Sequence, residues 1–173
     1  MQFLKKKKFI KYSGISFAKN SYFNEKIVNN FDYIQDEINL LTTNNYKEAK
    51  KYKSKIHSRS PFALGLLVNK KKIKFKKNDY RKTLFSSKDR ELIILSQISN
   101  LKIIDSDLKK LSLDFLFSLK RINKIIFGIK SIKHLNELKN DLKKIKRIDK
   151  IKKSKVINLN KNCFNLHNKT LLY

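Results

Sequence analysis

Four residues in this chain of 173 can reverse or break a backbone cheaply: Gly14, Pro61, Gly65 and Gly128. So few punctuating residues are rare in a globular protein, and each is expected where the chain demands it. Three of them close short runs with the character of β-strands. Residues 9–16 alternate apolar and polar positions up to Gly14-Ile15-Ser16. Residues 56–60 are stopped by Pro61, which lacks a ladder donor. Residues 122–127 end at Gly128. A fourth, weaker strand is expected over 32–37, after the turn-like Asn29-Asn30.

Helical patterns fall between these runs. Short polar helices are expected over 22–29 and 46–53. Ser86 and Asp89 stand at capping-box spacing before a helix whose stripe reads Leu92, Leu95, Ile98 and Leu101. Asp107 is placed to cap a helix over 108–119 that buries Leu108, Leu111, Phe115 and Leu119. Ser131 is placed to cap a long last helix with the stripe Ile132, Leu135, Leu138, Leu142, Ile145 and Ile148. Strands alternating with helices over short connections define an α/β protein with a parallel sheet. Residues 69–82, eight of them Lys or Arg, read as a surface loop. The structured region is expected over 1–153, with a poorly structured basic, Asn-rich tail over 154–173.

The formal net charge of +28 bears on solubility and attraction to polyanions, not on fold. Lys, Asn, Ile, Phe and Tyr are abundant together, and Lys fills solvated positions throughout, so charge alone names no ligand. Cys163 has no disulfide partner, and His57, His134 and His167 lie too far apart for zinc-ligand spacing. The basic first residues lack the apolar core of a signal peptide, and no run reaches the ~20 apolar residues of a membrane span. A cytoplasmic protein, with no membrane association, is the expectation.

Four segments, in order, resemble the second half of the aldo-keto reductases. Residues 8–16 (Lys-Phe-Ile-Lys-Tyr-Ser-Gly-Ile-Ser) resemble the family's glycine-and-serine strand end. Residues 31–41 resemble its glutamine-bearing strand and the Asn-Leu-Leu that follows it. Residues 59–67 (Arg-Ser-Pro-Phe-Ala-Leu-Gly-Leu-Leu) are similar to its Ser-Pro…Gly-Leu-Leu signature. Residues 112–117, 125–130 and 135–138 resemble its last helix-to-strand passage and the Leu-x-Glu-Asn beyond it. The match covers about residues 5–145 and takes in all three glycines and the proline.

The resemblance implies a partial (β/α)8 TIM barrel, a C-terminal half-barrel of about four parallel strands. It further implies an NADP site, held or lost, at the strand C-termini. Ser16 and Gln35 would hold the nicotinamide carboxamide. Arg59 stands where a stacking Tyr is common. Ser60, Phe62 and Gly65 would follow the pyrophosphate, and Gly128 would let a phosphate approach near the helix opened by Ser131. His134 falls where an Arg contacts the 2′-phosphate, and Glu137 where an acid contacts adenine. Taken alone, Arg59 reads as a solvated charge, His134 as an exposed helix residue, and Tyr12, Tyr33 and the phenylalanines as core.

Two positions depart from the pattern: Phe17 replaces an Asn, and Leu138 replaces the Asn of Glu-Asn. The family's catalytic Asp, Tyr, Lys and His belong to strands before the first matched segment. The expectation is therefore a truncated oxidoreductase that is inactive alone. Its open sheet edges invite pairing with a second copy or with a separate N-terminal half. The alternative is a basic RNA- or ribosome-binding protein, carried by charge and by Tyr and Phe interleaved with Lys. Short of that, nonspecific attraction to polyanions follows from charge alone.

Overall fold

The computed structural model describes residues 2–17, 24–68, 79 and 87–159. Four strands, β1 (Gly14–Ser16), β2 (Tyr33–Glu37), β3 (Lys55–Arg59) and β4 (Ile122–Ile125), form one sheet in chain order. Every adjacent pair is parallel. The helices are α1 (Gln2–Lys6), α2 (Glu25–Val28), α3 (Thr43–Ala49), α4 (Lys88–Ile104), α5 (Leu108–Phe117), α6 (Ile132–Leu142) and α7 (Lys150–Leu159). Parallel strands in sequential order with helical crossovers make a half (β/α)8 barrel.

A row of isoleucines sets the register. Ile15 lies opposite Ile34, Ile34 opposite Ile56, and Ile56 opposite Ile122. Side chains alternate between sheet faces, so the row lies on one face. That face is covered: Ile34 and Ile56 are buried in one apolar cluster with Ile94, Ile98 and Leu101 of α4 and Leu111, Phe115 and Leu116 of α5. Val156 of α7 joins the same cluster. The other face carries Gly14, Ser16, Tyr33, Gln35, Glu37, Lys55, His57, Arg59 and Lys124, none of them fully buried. In a closed barrel, bulky branched side chains dominate the interior. This face has no branched aliphatic residue among those nine.

Asp32 ties the N-terminal segment to the sheet. Its Oδ2 accepts from Ser13 N at 2.6 Å and pairs with Lys5 at 2.5 Å. The Lys5 hydrogen bond and the Ser13 amide together hold the Asp32 carboxyl down to about 2. α5 begins as read, with Asp107 accepting from Lys110 N, and α6 likewise, with Ser131 accepting from His134 N. α5 is buried nearly all round: Ser112 Oγ donates to Pro61 O at 2.5 Å, and buried Asp114 accepts from Lys146 N.

Several boundaries differ from the sequence reading. The first strand is confined to Gly14–Ser16; Lys8 takes a left-handed turn (φ 60°) and Phe9 stands exposed, so residues 9–13 join no ladder. The supposedly weak strand over 32–37 is instead a regular central strand, paired on both sides. The third helix covers Thr43–Ala49 rather than 46–53, and α5 stops at Phe117 rather than 119. Of the helix expected over 22–29, Glu25–Val28 is observed, and residues 22 and 23 lie outside the described residues, as do Ser86 and all of 69–82 except Asp79.

In α4 the buried stripe is Ile94, Gln97, Ile98 and Leu101, while Leu92 and Leu95 are exposed. The physical reason is the helical period: at 3.6 residues per turn, nine residues separate Leu92 from Leu101 by half a turn. The long last helix ends at Leu142, with Ile132 78% exposed and only Leu138 fully buried. α7 then runs through residue 153 to Leu159 with Val156 buried, so packed structure extends past the expected boundary. Tyr12, read as core, is 56% exposed.

Asp36 sits at the end of β2 on the covered face, 4% exposed, with Oδ2 making no hydrogen bond. Burial pushes its carboxyl up to about 7, against the Glu37 amide that donates to Oδ1. The folded protein therefore holds a proton that the unfolded chain releases near pH 4, and stability falls as pH rises from about 4 to about 7. Asp36→Asn is expected to raise the melting temperature at pH 8, by on the order of a few kcal/mol of stability, and to change it little at pH 4. Calorimetry at both pH values tests this; an equal effect at both would exclude titration of Asp36.

Candidate functional site

Because all four strands run the same way, their C-terminal ends share one rim. Ser16 lies directly opposite Gln35, and Glu37 opposite Arg59, on neighbouring strands. Ser16 is exposed and Gln35 half-buried, both on the uncovered face. One hydroxyl and one amide thus sit side by side at the mouth of the sheet, able to donate to and accept from a planar carboxamide.

Arg59 is not the solvated charge that its isolated sequence context suggests. Its Nη1 pairs with Glu37 Oε2 at 3.2 Å and its Nη2 donates to Phe17 O at 3.2 Å. The guanidinium spans three strand ends and is half-buried, held by partners on both sides.

Beyond Arg59 the backbone enters an unusual loop. Ser60 (φ 53°), Ala63 (φ 46°), Leu64 (φ 57°) and Gly65 (φ 93°) all lie in the left-handed region. Such a cluster of strained non-glycine residues persists only where surroundings over-determine it, and such sites are often functional. The surroundings are visible. Asn39 Nδ2 donates to Ser60 O at 3.1 Å, Ser112 Oγ holds Pro61 O, and Ala63 N and Gly65 N donate to Ser60 O and Phe62 O. Phe62 packs against Phe127, ring centroids 5.8 Å apart, joining this loop to the end of β4. Asn39 in turn accepts from Leu41 N, and Thr42 and Asn45 both donate to Glu37 O. Asn39 belongs to the Asn-Leu-Leu noted after the second strand, whereas Thr42 and Asn45, which complete this buried scaffold, carried no signal in the sequence beyond being polar residues soon after a strand.

On the far side of the rim, Gly128 is exposed, and a Cβ built there meets nothing within 4 Å. The chain does not need glycine at 128 for its own packing, contrary to the expectation that every glycine is demanded locally. His134 and Glu137 follow on α6, exposed, with Lys130 and Lys133 exposed around the helix start. The rim thus brings Ser16, Gln35, Arg59, Ser60, Phe62, Gly65 and Gly128 to one end of the sheet, with His134 and Glu137 on the helix leading away. The two departures from the family pattern are both buried: Phe17 packs against Tyr52 at 5.7 Å, and Leu138 is 8% exposed.

Among the described residues no group of three His, Cys, Asp or Glu could hold a metal ion, and no helix is long and apolar enough to cross a membrane.

No protein-family model and no curated protein matches the chain. Solved structures do. The glycerol dehydrogenase of Gluconobacter oxydans superposes with a TM-score of 0.69 at 15% identity, over 94% of this chain and 53% of that one. The holo form of an aldo-keto reductase from Bacillus halodurans gives 0.60 at 15% identity, over 91% and 53%. Its apo form gives 0.59 at 14% identity, over 91% and 54%. The chain spans about half the length of these structures and has the fold of a partial aldo-keto reductase barrel.

The glycines make a paired test. Gly65→Ala forces a side chain into φ 93° and is expected to cost about 1–2 kcal/mol. Gly128→Ala is expected to change stability by less than about 0.5 kcal/mol, since its Cβ meets open space. Denaturant midpoints of the two variants measure the contrast.

Proposed function

We propose that the C-terminal rim of this half-barrel binds a nicotinamide dinucleotide, NADP in preference, in the manner of the aldo-keto reductases. The carrying observation is the in-register pair Ser16 and Gln35 at the mouth of the sheet, beside the left-handed loop from Ser60 to Gly65. The donor set fits the group. The Ser16 hydroxyl and Gln35 amide match a carboxamide, and the tightly turned backbone around Phe62 and Gly65 offers close approach to a pyrophosphate. The start of α6, with Lys130, Lys133 and His134, faces an added phosphate with positive charge, and Glu137 can accept from the adenine amino group. Arg59, braced by Glu37, orders the strand ends around the nicotinamide rather than lying free to stack.

When bound, the cofactor supplies or accepts a hydride. The residues of this chain bind and orient it. The four groups that polarise and protonate a carbonyl in this family have no counterpart in the matched segments, so the 173-residue chain is proposed to bind without reducing a substrate. The outer edges of β1 and β4, unpaired among the described residues, are open to pairing with another chain.

Because a protein of net charge +28 attracts any phosphate, the decisive variants are uncharged. NADPH fluorescence titration is expected to show saturable binding that Ser16→Ala and Gln35→Leu weaken about 5–10-fold each, the loss of one hydrogen bond. The purified chain is expected to oxidise no NADPH with a carbonyl substrate. Binding indifferent to both variants, or measurable turnover, rejects the corresponding half of the proposal.

A further inference from the structure

The rim uses one end of the uncovered face. Diagonally across the strands, from Tyr12 just before β1 to His57 opposite Gln35, three rings stand in a row. Tyr12 meets Tyr33 edge-on at 5.6 Å, and Tyr33 meets His57 at 4.6 Å with the planes tilted by 35°. Lys11 stands over the Tyr12 ring at 5.4 Å and Lys55 over the Tyr33 ring at 5.9 Å. Gly14 lies close against Tyr33: a Cβ there would come within 3.3 Å of Tyr33 O. Burial, with Lys124 nearby, holds the pKa of the His57 imidazole below the ordinary value. It is a neutral, flat ring at physiological pH.

Lys55, over the Tyr33 ring, also lines a groove of about 460 Å³ at the starts of β3 and β4, together with Lys53, Ser54, Lys120, Arg121, Ile122 and Asn123. No carboxylate lines it. The acid that stands closest in the fold, Asp32 at the start of β2, is already taken by Lys5 and Ser13. Glu37, at the opposite end of the face, is taken by Arg59.

We propose that this face is a binding platform for single-stranded RNA, with bases stacking on the Tyr12–Tyr33–His57 row and the phosphodiester backbone running along the Lys53–Lys55–Lys120 groove. An exposed sheet face with aromatic rings and a cationic border is a physical solution to binding unpaired bases, because every base has a π-face and every linkage a charge. The amide of Asn123, in the lining of the groove, suits a 2′-hydroxyl. A second half-barrel is the competing occupant, but it would bury Lys55, Lys124 and Arg59 against a face without aliphatic residues, and burying such charges is costly. A second copy of this chain would add its own +28. The ring row adjoins the dinucleotide site, since His57 lies opposite Gln35, but the variants that test it leave every residue of that site in place.

Fluorescence anisotropy with a labelled single-stranded RNA of mixed sequence, about 12 nucleotides long, tests the proposal on the full chain. Tyr12→Ala is expected to weaken binding about tenfold and Tyr12→Phe to restore it, as stacking predicts. Lys55→Glu combined with Lys120→Glu is expected to weaken it further and to flatten its salt dependence. Lys102→Glu with Lys155→Glu, on the helices of the covered side, makes the same change in net charge and is expected to have a much smaller effect. Melting temperatures of all variants exclude loss of fold as the cause. The proposal is overturned if the two charge pairs weaken binding equally, if Tyr12→Ala binds as the parent does, or if a duplex or a single-stranded DNA of the same sequence binds more tightly.

Discussion

The row Ile15–Ile34–Ile56–Ile122 is the constraint on which the rest of this molecule depends. Fully burying an isoleucine side chain is worth about 1.5–3 kcal/mol, and Ile34 and Ile56 are completely buried beneath α4 and α5. A slip of one residue in any strand would turn its isoleucine toward the open face and its polar neighbour into the core. The register is thus fixed by apolar burial on the covered face. Its consequence appears on the opposite face: Ser16 beside Gln35, Glu37 beside Arg59, and four C-terminal strand ends at one rim. The strand residues of the candidate site are placed by burial on the opposite face, while the loop from Ser60 to Gly65 carries strain of its own.

The same division explains how a half-barrel remains presentable to water. The face that a closed barrel would fill with branched side chains carries Ser, Tyr, Gln, Glu, His, Arg and Lys instead. Its charges are partly neutralised in place, as in the Arg59–Glu37 pair, and its rings pack against one another. One exception to comfortable burial is Asp36, a carboxylate on the covered side that is neutral for much of the acidic range. The strained loop from Ser60 to Gly65 is the other, stabilised from below by Asn39 and Ser112.

Part of the architecture could be read from the chain because Pro61 and Gly128 each follow a strand; Gly14, by contrast, opens β1 instead of closing it. Capping residues were legible too, since Asp107 and Ser131 each accept from the amide three residues on. Helix faces were less so. The series Leu92, Leu95, Ile98 and Leu101 has a spacing of three, which drifts around a helix; the buried set includes Gln97, which no hydrophobic pattern selects. Tyr12 looked like core because tyrosine is commonly half-buried, yet it borders a face that this fold leaves uncovered.

What the sequence by itself determined is the alternation of strands and helices, the parallel sense that helical crossovers impose, and the polar residues offered at strand ends. These follow from local chemistry: ring and branched side chains in strands, hydroxyl and carboxylate caps, a missing N–H at proline. Tertiary structure alone decided which of those residues meet. Whether Arg59 is free or bridged, whether Phe17 and Leu138 are surface or core, and whether Tyr12, Tyr33 and His57 form a row all depend on contacts between segments far apart in the chain. Such contacts are set by the sheet register and by which face the helices cover, and no local pattern of residues encodes either one.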